Sequence, residues 1–344
     1  MKRLMLSLGL MVCLTASALA QADAKAQDLI KKARAAIGKE DKIKGNIIAE
    51  ANFKRSMGQQ NMEGTIELIM AGGDKVYQAQ NMNMFGNEIT SIQVLNVDKT
   101  WTDFISGMGG GPGGGGGGRF MGGGGMGFMD AATQEKMMRF SLSRVLLGFF
   151  LTAPGVDFAY GGEAKAPDGT VADILIAKVA TDTVAKMYID RESKQLLMLS
   201  YKGKDERAMR RGGPGGGQGG QRPPGQAGGQ PGGQPGGQPG GGQNNAQRQR
   251  EELEKLPPEE RAKREAEIKA RQDARMVEMK AAYDKAPEVD YIWNFADYKS
   301  EAGLNLPHMI TKSIAGEPNE EWVITKYKFN DKKVTPEKFE KKTK

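Results

Sequence analysis

The fold class follows first from residues 47–53, which read Ile-Ile-Ala-Glu-Ala-Asn-Phe. Apolar residues at every second position share one face of an extended strand, because successive side chains of a strand point to opposite sides. The same period returns in residues 66–70, Ile-Glu-Leu-Ile-Met, and Gly72-Gly73 then supplies a turn. We therefore predict antiparallel strands joined by short turns, with one buried face and one solvated face.

Further strands are predicted wherever β-branched, aromatic and other apolar residues alternate between polar turns. The clearest hairpin joins Val184–Asp190 to Gln195–Lys202 across the polar turn Arg191-Glu-Ser-Lys194. The other predicted strands are 76–80, 89–97, 99–104, 156–160, 171–179, 289–298, 304–314 and 322–329. We expect the last three to complete the same sheet.

Two helices are predicted to cover the buried face of this sheet. Residues 27–37 place apolar side chains on one side at helical spacing. A second helix is predicted from Asp130, as its N-cap, to about Leu151, with Pro154 marking its end. Residues 145–151 of this helix, Val-Leu-Leu-Gly-Phe-Phe-Leu, are apolar on all sides and should be fully buried.

Two glycine tracts and one charged segment interrupt the predicted sheet. Of the 48 glycines, 15 lie within 107–127 and 17 within 212–242, and neither stretch can bury apolar area. We assign 105–129 as a Gly/Met-rich disordered loop and 204–245 as a Gly/Gln/Pro-rich disordered linker. Residues 246–285 are rich in Glu, Lys, Arg and Ala, which predicts a solvated helix.

Residues 1–20 have the three parts of a secretory signal peptide. They begin with two basic residues, continue with an apolar run over 4–14 and end in an Ala-Leu-Ala cleavage site at Ala20. The apolar run is shorter than the ~20 residues that a membrane span needs, so no transmembrane segment is predicted in the mature chain. The expected product is a soluble periplasmic protein of residues 21–344.

The chain has a single cysteine, Cys13, and a single histidine, His308. Because Cys13 lies in the predicted signal peptide, the mature chain can form neither a disulfide nor a Cys-His dyad. A two-histidine metal site is excluded as well. A Ser-His-Asp triad would need His308 as its base, and we expect His308 to be structural because it follows Pro307 at the start of a strand.

Other catalytic patterns have simpler explanations. The carboxylate pairs Glu259-Glu260 and Glu320-Glu321 are predicted to be solvated charges, since adjacent residues on a strand point to opposite faces. The first glycine tract lacks the Gly-Lys-Ser/Thr ending of a phosphate-binding loop. We therefore predict no enzymatic activity and no cofactor.

Several segments resemble the outer-membrane lipoprotein-sorting superfamily, the LolA-like proteins. Tyr291-Ile-Trp-Asn-Phe-Ala-Asp-Tyr298, Gly303-Leu-Asn-Leu-Pro-His308 and Tyr327-Lys-Phe-Asn330 resemble its last strands, and Met187–Tyr201 resembles its strand, acidic turn and strand. The short N-terminal helix after a cleaved signal fits the same pattern. The resemblance covers the chain outside both glycine tracts and 246–285. The glycine tracts depart from the family pattern.

The resemblance implies a mainly β (α+β) fold in which a curved antiparallel sheet forms a half-open β-barrel covered by helices. Family members bind acyl chains or lipoproteins on the concave side. The predicted function is accordingly a periplasmic carrier or binding protein for a lipid or a lipoprotein acyl chain. Burial of the chain would contribute about 0.8 kcal/mol per CH₂. The candidate ligand-binding residues, chosen from strand alternation and the apolar helix, are Phe53, Leu68, Met70, Leu147, Phe149 and Phe150.

Three alternatives remain open at this stage. Residues 145–151 could be ordinary core with no cavity beside them. Residues 204–285 could make the protein an envelope scaffold that captures a protein partner. The methionines at Met82 and Met84 and in the first glycine tract could bind Cu(I), or they could be apolar filler.

Charge gives little indication of a partner. Without the two basic residues of the signal peptide, 47 basic residues face 42 acidic ones, and the signs are interspersed. Nucleic acid is therefore not a predicted partner. The lysine-rich tail 332–344 is compatible with an anionic membrane surface.

Overall fold

The computed structural model describes residues 24–57, 60–84, 87–106, 128–166, 169–207, 253 and 255–341. The predicted signal peptide and nearly all of both glycine tracts lie outside these residues. By their contacts the described residues divide into two compact units, one within 1–204 and 288–344 and the other within 205–287.

The first unit is built on a single open sheet of twelve antiparallel strands. In chain order they are β1 Asn46–Met57, β2 Gln60–Ala71, β3 Lys75–Met84, β4 Asn87–Asn96, β5 Lys99–Ser106, β6 Asp157–Lys165, β7 Val171–Val179, β8 Asp182–Asp190, β9 Leu196–Lys204, β10 Glu288–Glu301, β11 Leu304–Ile314 and β12 Glu317–Phe329. Their spatial order is β5-β4-β3-β2-β1-β12-β11-β10-β9-β8-β7-β6, so the first and last strands are neighbours. The predicted mainly β, antiparallel class is confirmed.

The helices are α1 (24–37), α2 (Glu40–Ile43) and α3 (Ala131–Phe150) in the first unit and α4 (Pro258–Lys285) in the second. A short 3₁₀ helix covers Pro336–Phe339. No helix among the described residues is long and apolar enough to cross a membrane.

Helix α3 begins at the N-cap predicted from the sequence. The Asp130 carboxylate accepts hydrogen bonds from the backbone N–H of Thr133 at 2.9 Å and from its hydroxyl at 2.7 Å, and both lower the pKa of Asp130. The helix ends where Leu151 adopts a left-handed conformation with φ 53° and donates its N–H to the Leu147 carbonyl. Pro154 follows three residues later, so the turn at Leu151 comes before the proline that was predicted to stop the helix.

The sheet curves around α3. This helix contacts β3, β4 and β5 near one edge of the sheet and also β8 and β9 toward the other edge. In a flat sheet with strands ~4.8 Å apart, β4 and β8 would be about 38 Å apart, which is too far for one helix ~10 Å wide and about 30 Å long. We call the side of the sheet that faces α3 the inner face.

The outer face of β1–β5 is partly covered, which differs from the prediction of one solvated face. Residues of β1 to β4 form a second, smaller core with Phe339 of the C-terminal segment. The indole N–H of Trp101 donates to the Phe339 carbonyl at 3.0 Å, and the Lys338 ammonium lies 4.0 Å from the centre of the Tyr77 ring. The 3₁₀ helix therefore fastens the end of the chain to the outer face.

Candidate functional site

The six candidate ligand-binding residues all lie on the inner face or on α3, within one continuous apolar core. Each is almost completely buried, with at most 2% of its surface exposed: Phe53, Leu68, Met70, Leu147, Phe149 and Phe150. The structure therefore brings them into the same interior. Whether they bind a ligand remains a prediction.

The strand register explains why the three sheet residues share this interior. β1 and β2 pair with Ile47 opposite Met70 and Ala49 opposite Leu68, so the alternating apolar residues of both strands face α3 together. Phe53 lies opposite Gly64, and a Cβ at Gly64 would come within 2.7 Å of the Phe53 ring. The same Cβ would come even closer to the backbone carbonyl of Asn81 on β3, so the glycine makes room for the neighbouring strand as well as for the ring.

Helix α3 fits tightly into this interior. Nine consecutive residues of this helix, 142–150, are buried. A helix packed on only one side would leave its other side exposed, so this part of α3 is covered on all sides. At Gly148 the helix comes so close to β10 that an added Cβ would lie 2.6 Å from the Phe295 ring. The absence of a side chain at Gly148 therefore sets how closely α3 approaches the sheet.

One small cleft lies beside α3. This cleft, beside Phe149, has a volume of about 10 Å³, which is room for about one water molecule at most. It is lined by residues of α1, α3 and the strands nearby, among them Ala36, Leu151, Leu196 and Tyr298. This cleft is too small to hold an acyl chain.

A larger groove of about 380 Å³ is open at the surface where β1, β2 and β12 lie side by side. Five of its eight lining residues are polar or charged, including the ion pair between Lys54 and Glu63 at 3.3 Å, and Phe53 lines it as well. Because charged side chains border this open groove, it would not fully bury an acyl chain, and we do not assign it to the ligand.

A second set of residues on the inner side of the first unit was not predicted as a site. We call it the cation–aromatic row, and it consists of Arg55, Arg144, Tyr201, Tyr291, Trp293, Lys312, Glu320 and Trp322. The Lys312 ammonium lies 4.1 Å from the centre of the Trp293 ring and 3.6 Å from that of Trp322. It also lies 3.1 Å from a carboxylate oxygen of Glu320, which pairs with Arg55 as well.

Glu320 corrects a prediction made from the sequence. It was expected to be a solvated charge like its neighbour Glu321, but it is only 7% exposed. The strand alternation does separate the two side chains, and the pairing of β12 with β11 and β1 places Lys312 and Arg55 opposite Glu320. The indole N–H of Trp322 also donates to Glu320, so the buried carboxylate is well satisfied.

The protonation of this pair follows from its surroundings. Burial alone would raise the pKa of Glu320, but Lys312 and Arg55 outweigh it and lower the pKa to about 2. Burial lowers the pKa of Lys312 to about 8 in spite of the attraction of Glu320. At pH 7 the cluster of Arg55, Lys312 and Glu320 therefore carries two positive charges and one negative charge.

Arg144 is the most unusual member of the row, because it is a charged residue among the nine buried residues of α3. Its Nε donates to the Val184 carbonyl at 2.9 Å, and its guanidinium carbon lies 3.4 Å from the centre of the Tyr201 ring. Tyr201 in turn stacks on Tyr291, with ring centres 5.0 Å apart. No carboxylate among the described residues pairs with Arg144, and burial lowers the pKa of its guanidinium.

The remaining residues considered from the sequence are the chain's only histidine and its methionines. His308 lies in β11, with Nε2 3.2 Å from a carboxylate oxygen of Glu301 and its ring at an angle to that of Tyr327. Met108, Met121 and Met126, which were considered as Cu(I) ligands, lie outside the described residues.

Comparison with solved structures finds similar folds of very different sequence. A protein domain from Vibrio parahaemolyticus, named for outer membrane lipoprotein sorting, matches at 10% identity with a TM-score of 0.40, over 92% of this chain and 97% of that chain. A DUF1329 family protein from Desulfovibrio piger matches at 8% identity and a TM-score of 0.40, over 93% and 97%. A LolA superfamily protein from Nitrosomonas europaea matches at 7% identity and a TM-score of 0.40, over 92% and 97%. No protein-family profile and no curated protein matches the chain.

Proposed function

We propose that the protein is a periplasmic carrier or binding protein for a hydrophobic ligand, a lipid or a lipoprotein acyl chain. The single observation that supports this most is that a curved apolar sheet surrounds the buried half of α3. An outward shift of that half would open an apolar channel between Leu147, Phe149 and Phe150 of α3 and the sheet residues Phe53, Leu68 and Met70. The proposed role is binding without catalysis.

The insertion of an acyl chain between α3 and the sheet is energetically reasonable. Apolar burial is non-directional and depends mainly on the area removed from water, so contacts of α3 with the sheet can be replaced by contacts of both with the acyl chain at small net cost. Helix α3 is joined to the sheet by 107–130 on one side and by 151–156 on the other. In this proposal α3 packs directly on the sheet in the empty protein, and the acyl chain lies between α3 and the sheet in the loaded one.

The proposal is tested by producing the full chain in a bacterial periplasm and purifying it without detergent. Native and denaturing mass spectra are then compared. We expect an additional mass in the native spectrum that disappears on denaturation and extracts into organic solvent. A bare polypeptide mass, together with no uptake of an added fluorescent fatty acid, would overturn the proposal.

A substitution at Gly148 tests whether α3 is the cover. Gly148→Val places methyl groups against the Phe295 ring and should push α3 away from β10, which should speed uptake of the fluorescent fatty acid several-fold. Ala270→Val on the exposed helix α4 is the matched control and should leave the uptake rate unchanged. If Gly148→Val lowers stability without changing uptake, α3 is ordinary core.

A second candidate function is a non-catalytic envelope scaffold that acts through 204–285. It is favoured by one observation, which is that none of the 28 residues of α4, all of them described, is buried. A protein partner of the envelope would then bind this helix. Replacement of 205–287 by a short turn separates the two functions, because a carrier should still load fatty acid and a scaffold should lose its partner.

A further inference from the structure

We infer that the ligand is an amphiphile with an anionic head group, a phosphate or a carboxylate, and that the cation–aromatic row binds this head group. The inference rests on the proposed carrier function and adds the chemical class of the ligand. Its three cationic members are Arg144 on α3, Lys312 on β11 and Arg55 on β1.

The charge of the row is the first argument. Among its described members, three cations face one carboxylate, Glu320, which is shared by Lys312 and Arg55. Arg144 is only 9% exposed and has a backbone carbonyl and an aromatic ring as its neighbours instead of a carboxylate. A buried cation without a counter-ion is costly, and cation–π contacts offset only part of that cost. An anion supplied by a ligand would provide the missing charge.

The strand register is the second argument, because it aligns the row across five adjacent strands. Tyr201 of β9 lies opposite Tyr291 of β10, and Trp293, two residues further along β10, lies opposite Lys312 of β11. Lys312 in turn lies opposite Glu320 of β12. The pairing of β12 with β1 then adds Arg55 opposite Glu320.

The position of Arg144 is the third argument, because it lies on α3, the helix that the acyl chain is proposed to displace. Its neighbours Tyr201 and Tyr291 lie on the sheet, beside the segment that holds Lys312. Arg144 directly precedes the apolar residues 145–151, so an acyl chain that lies along these residues can have its head group beside Arg144. The planar guanidinium of arginine binds phosphate or carboxylate through two parallel hydrogen bonds, which an alcohol cannot reproduce.

The experiment measures how well probes of equal chain length displace a bound fluorescent fatty acid from the full-length protein. The probes are hexadecyl phosphate, palmitate and hexadecanol, with inorganic phosphate as the chain-free anion. We expect both anionic probes to bind about tenfold more tightly than hexadecanol, as charged hydrogen bonds require. Inorganic phosphate alone should not displace the probe at the same concentrations.

Arg144→Met removes the charge and keeps most of the side-chain volume. Its preference for hexadecyl phosphate over hexadecanol should fall to about twofold or less, while its affinity for hexadecanol stays the same. The matched control is Lys202→Gln, which neutralises a 66% exposed lysine next to Tyr201 on the same strand. This control should keep the full preference.

A second pair of variants keeps the test valid if Arg144→Met does not fold. Arg55→Gln neutralises a cation of the row whose side chain is 30% exposed, and it should also reduce the preference for anionic probes. Lys54→Gln, the adjacent residue with a 69% exposed side chain, is its control and should not.

The outcomes separate this inference from the proposed function. Equal binding of hexadecanol and hexadecyl phosphate by the unaltered protein would overturn the head-group inference and leave the carrier proposal intact. Failure of every long-chain probe to bind would overturn the carrier proposal and this inference with it. Displacement by inorganic phosphate alone would show a free-anion site instead of an amphiphile site, and would also overturn the inference.

Discussion

The two long helices of this protein, α3 and α4, owe their stability to different interactions. Helix α3 has 20 residues with nine consecutive buried positions, and within this fully described helix the first turn has no acidic residue and the last turn no basic one. Helix α4 has 28 residues, none of them buried, and it starts with Pro258, Glu259 and Glu260 and ends with Lys285. These end residues complement the helix dipole.

The difference shows which helix depends on tertiary packing. α4 is supported by local interactions, such as the pairs Arg264–Glu267 and Lys280–Asp284, and needs no contact along its length. α3 depends on burial inside the sheet, and most helices in proteins gain their stability in this way. A helix held by apolar burial can give up part of its contacts to another apolar group. A helix without buried residues has much of its surface available to a partner.

The largest expected effect is the loss of a buried ring from α3. Phe150→Ala leaves a cavity in the core and should lower the free energy of unfolding by about 3–5 kcal/mol. Val277→Ala on α4, where the side chain is 70% exposed, should change it by less than about 0.5 kcal/mol. Urea unfolding followed by circular dichroism measures both. Equal effects would mean that α3 is not held by its burial.

The next largest effect on stability is expected from the buried carboxylate Glu320 of the inner face, compared with the exposed carboxylate Glu267 of α4. Because the pKa of Glu320 falls from 4.5 to about 2 on folding, its ionised form stabilises the fold by about 3 kcal/mol at neutral pH. This contribution is fully present above pH 4.5 and is lost as the pH falls toward 2. Glu320→Gln should therefore be less stable than the unaltered protein at pH 6, and the difference should shrink toward pH 2.

The matched substitution for this experiment is Glu267→Gln on α4, whose exposed carboxylate pairs with Arg264 at 3.3 Å. Exposed pairs contribute about 0–1 kcal/mol, so its unfolding curves at pH 6 and pH 3 should follow those of the unaltered protein closely. A difference between Glu320→Gln and the unaltered protein that is as large at pH 2 as at pH 6 would contradict the low pKa of Glu320.

The smallest effect is expected when the unit that contains α4 is removed. Lys204 and Glu288 are already paired across β9 and β10, so an Asn-Gly turn in place of 205–287 should close the hairpin directly. We expect the unfolding free energy not to decrease, because a shorter connection also costs less chain entropy. Thermal unfolding of the shortened chain checks this. A clear loss of stability would mean that 205–287 supports the sheet.

The elements of this fold could be predicted where the signals are local. The bounds of 171–179 and 304–314 agree with the structure, and Asp130 caps α3 as its position before a helical segment suggested. β12 begins at Glu317, five residues earlier than predicted, because the polar stretch Glu-Pro-Asn-Glu-Glu pairs with β11. Tertiary pairing overrides the weak strand preference of these residues.

The residues of the candidate site also differ in whether local sequence could predict them. Phe53, Leu68 and Met70 could be assigned to the interior because alternation along a strand is visible in the sequence. The contact between Arg55 and Glu320 could not, because 265 positions separate them and only the register of β1 with β12 brings them together. Arg144 could have been singled out from the sequence, because a charged residue directly before seven almost continuous apolar residues is unusual in the buried part of a helix.

The pairing of the first strand with the last also determines how this molecule can fold. β1 to β5 form one run of sequential strands, β6 to β9 a second and β10 to β12 a third, and each can assemble from contacts between neighbouring strands. The junction between β1 and β12 joins residues as far apart as Asn46 and Asp331, a separation of 285 positions. Contacts of such long range form slowly. During synthesis from the N-terminus, β1 therefore keeps one edge unpaired until β12 has been made, and an unpaired edge is where a growing chain is most open to aggregation.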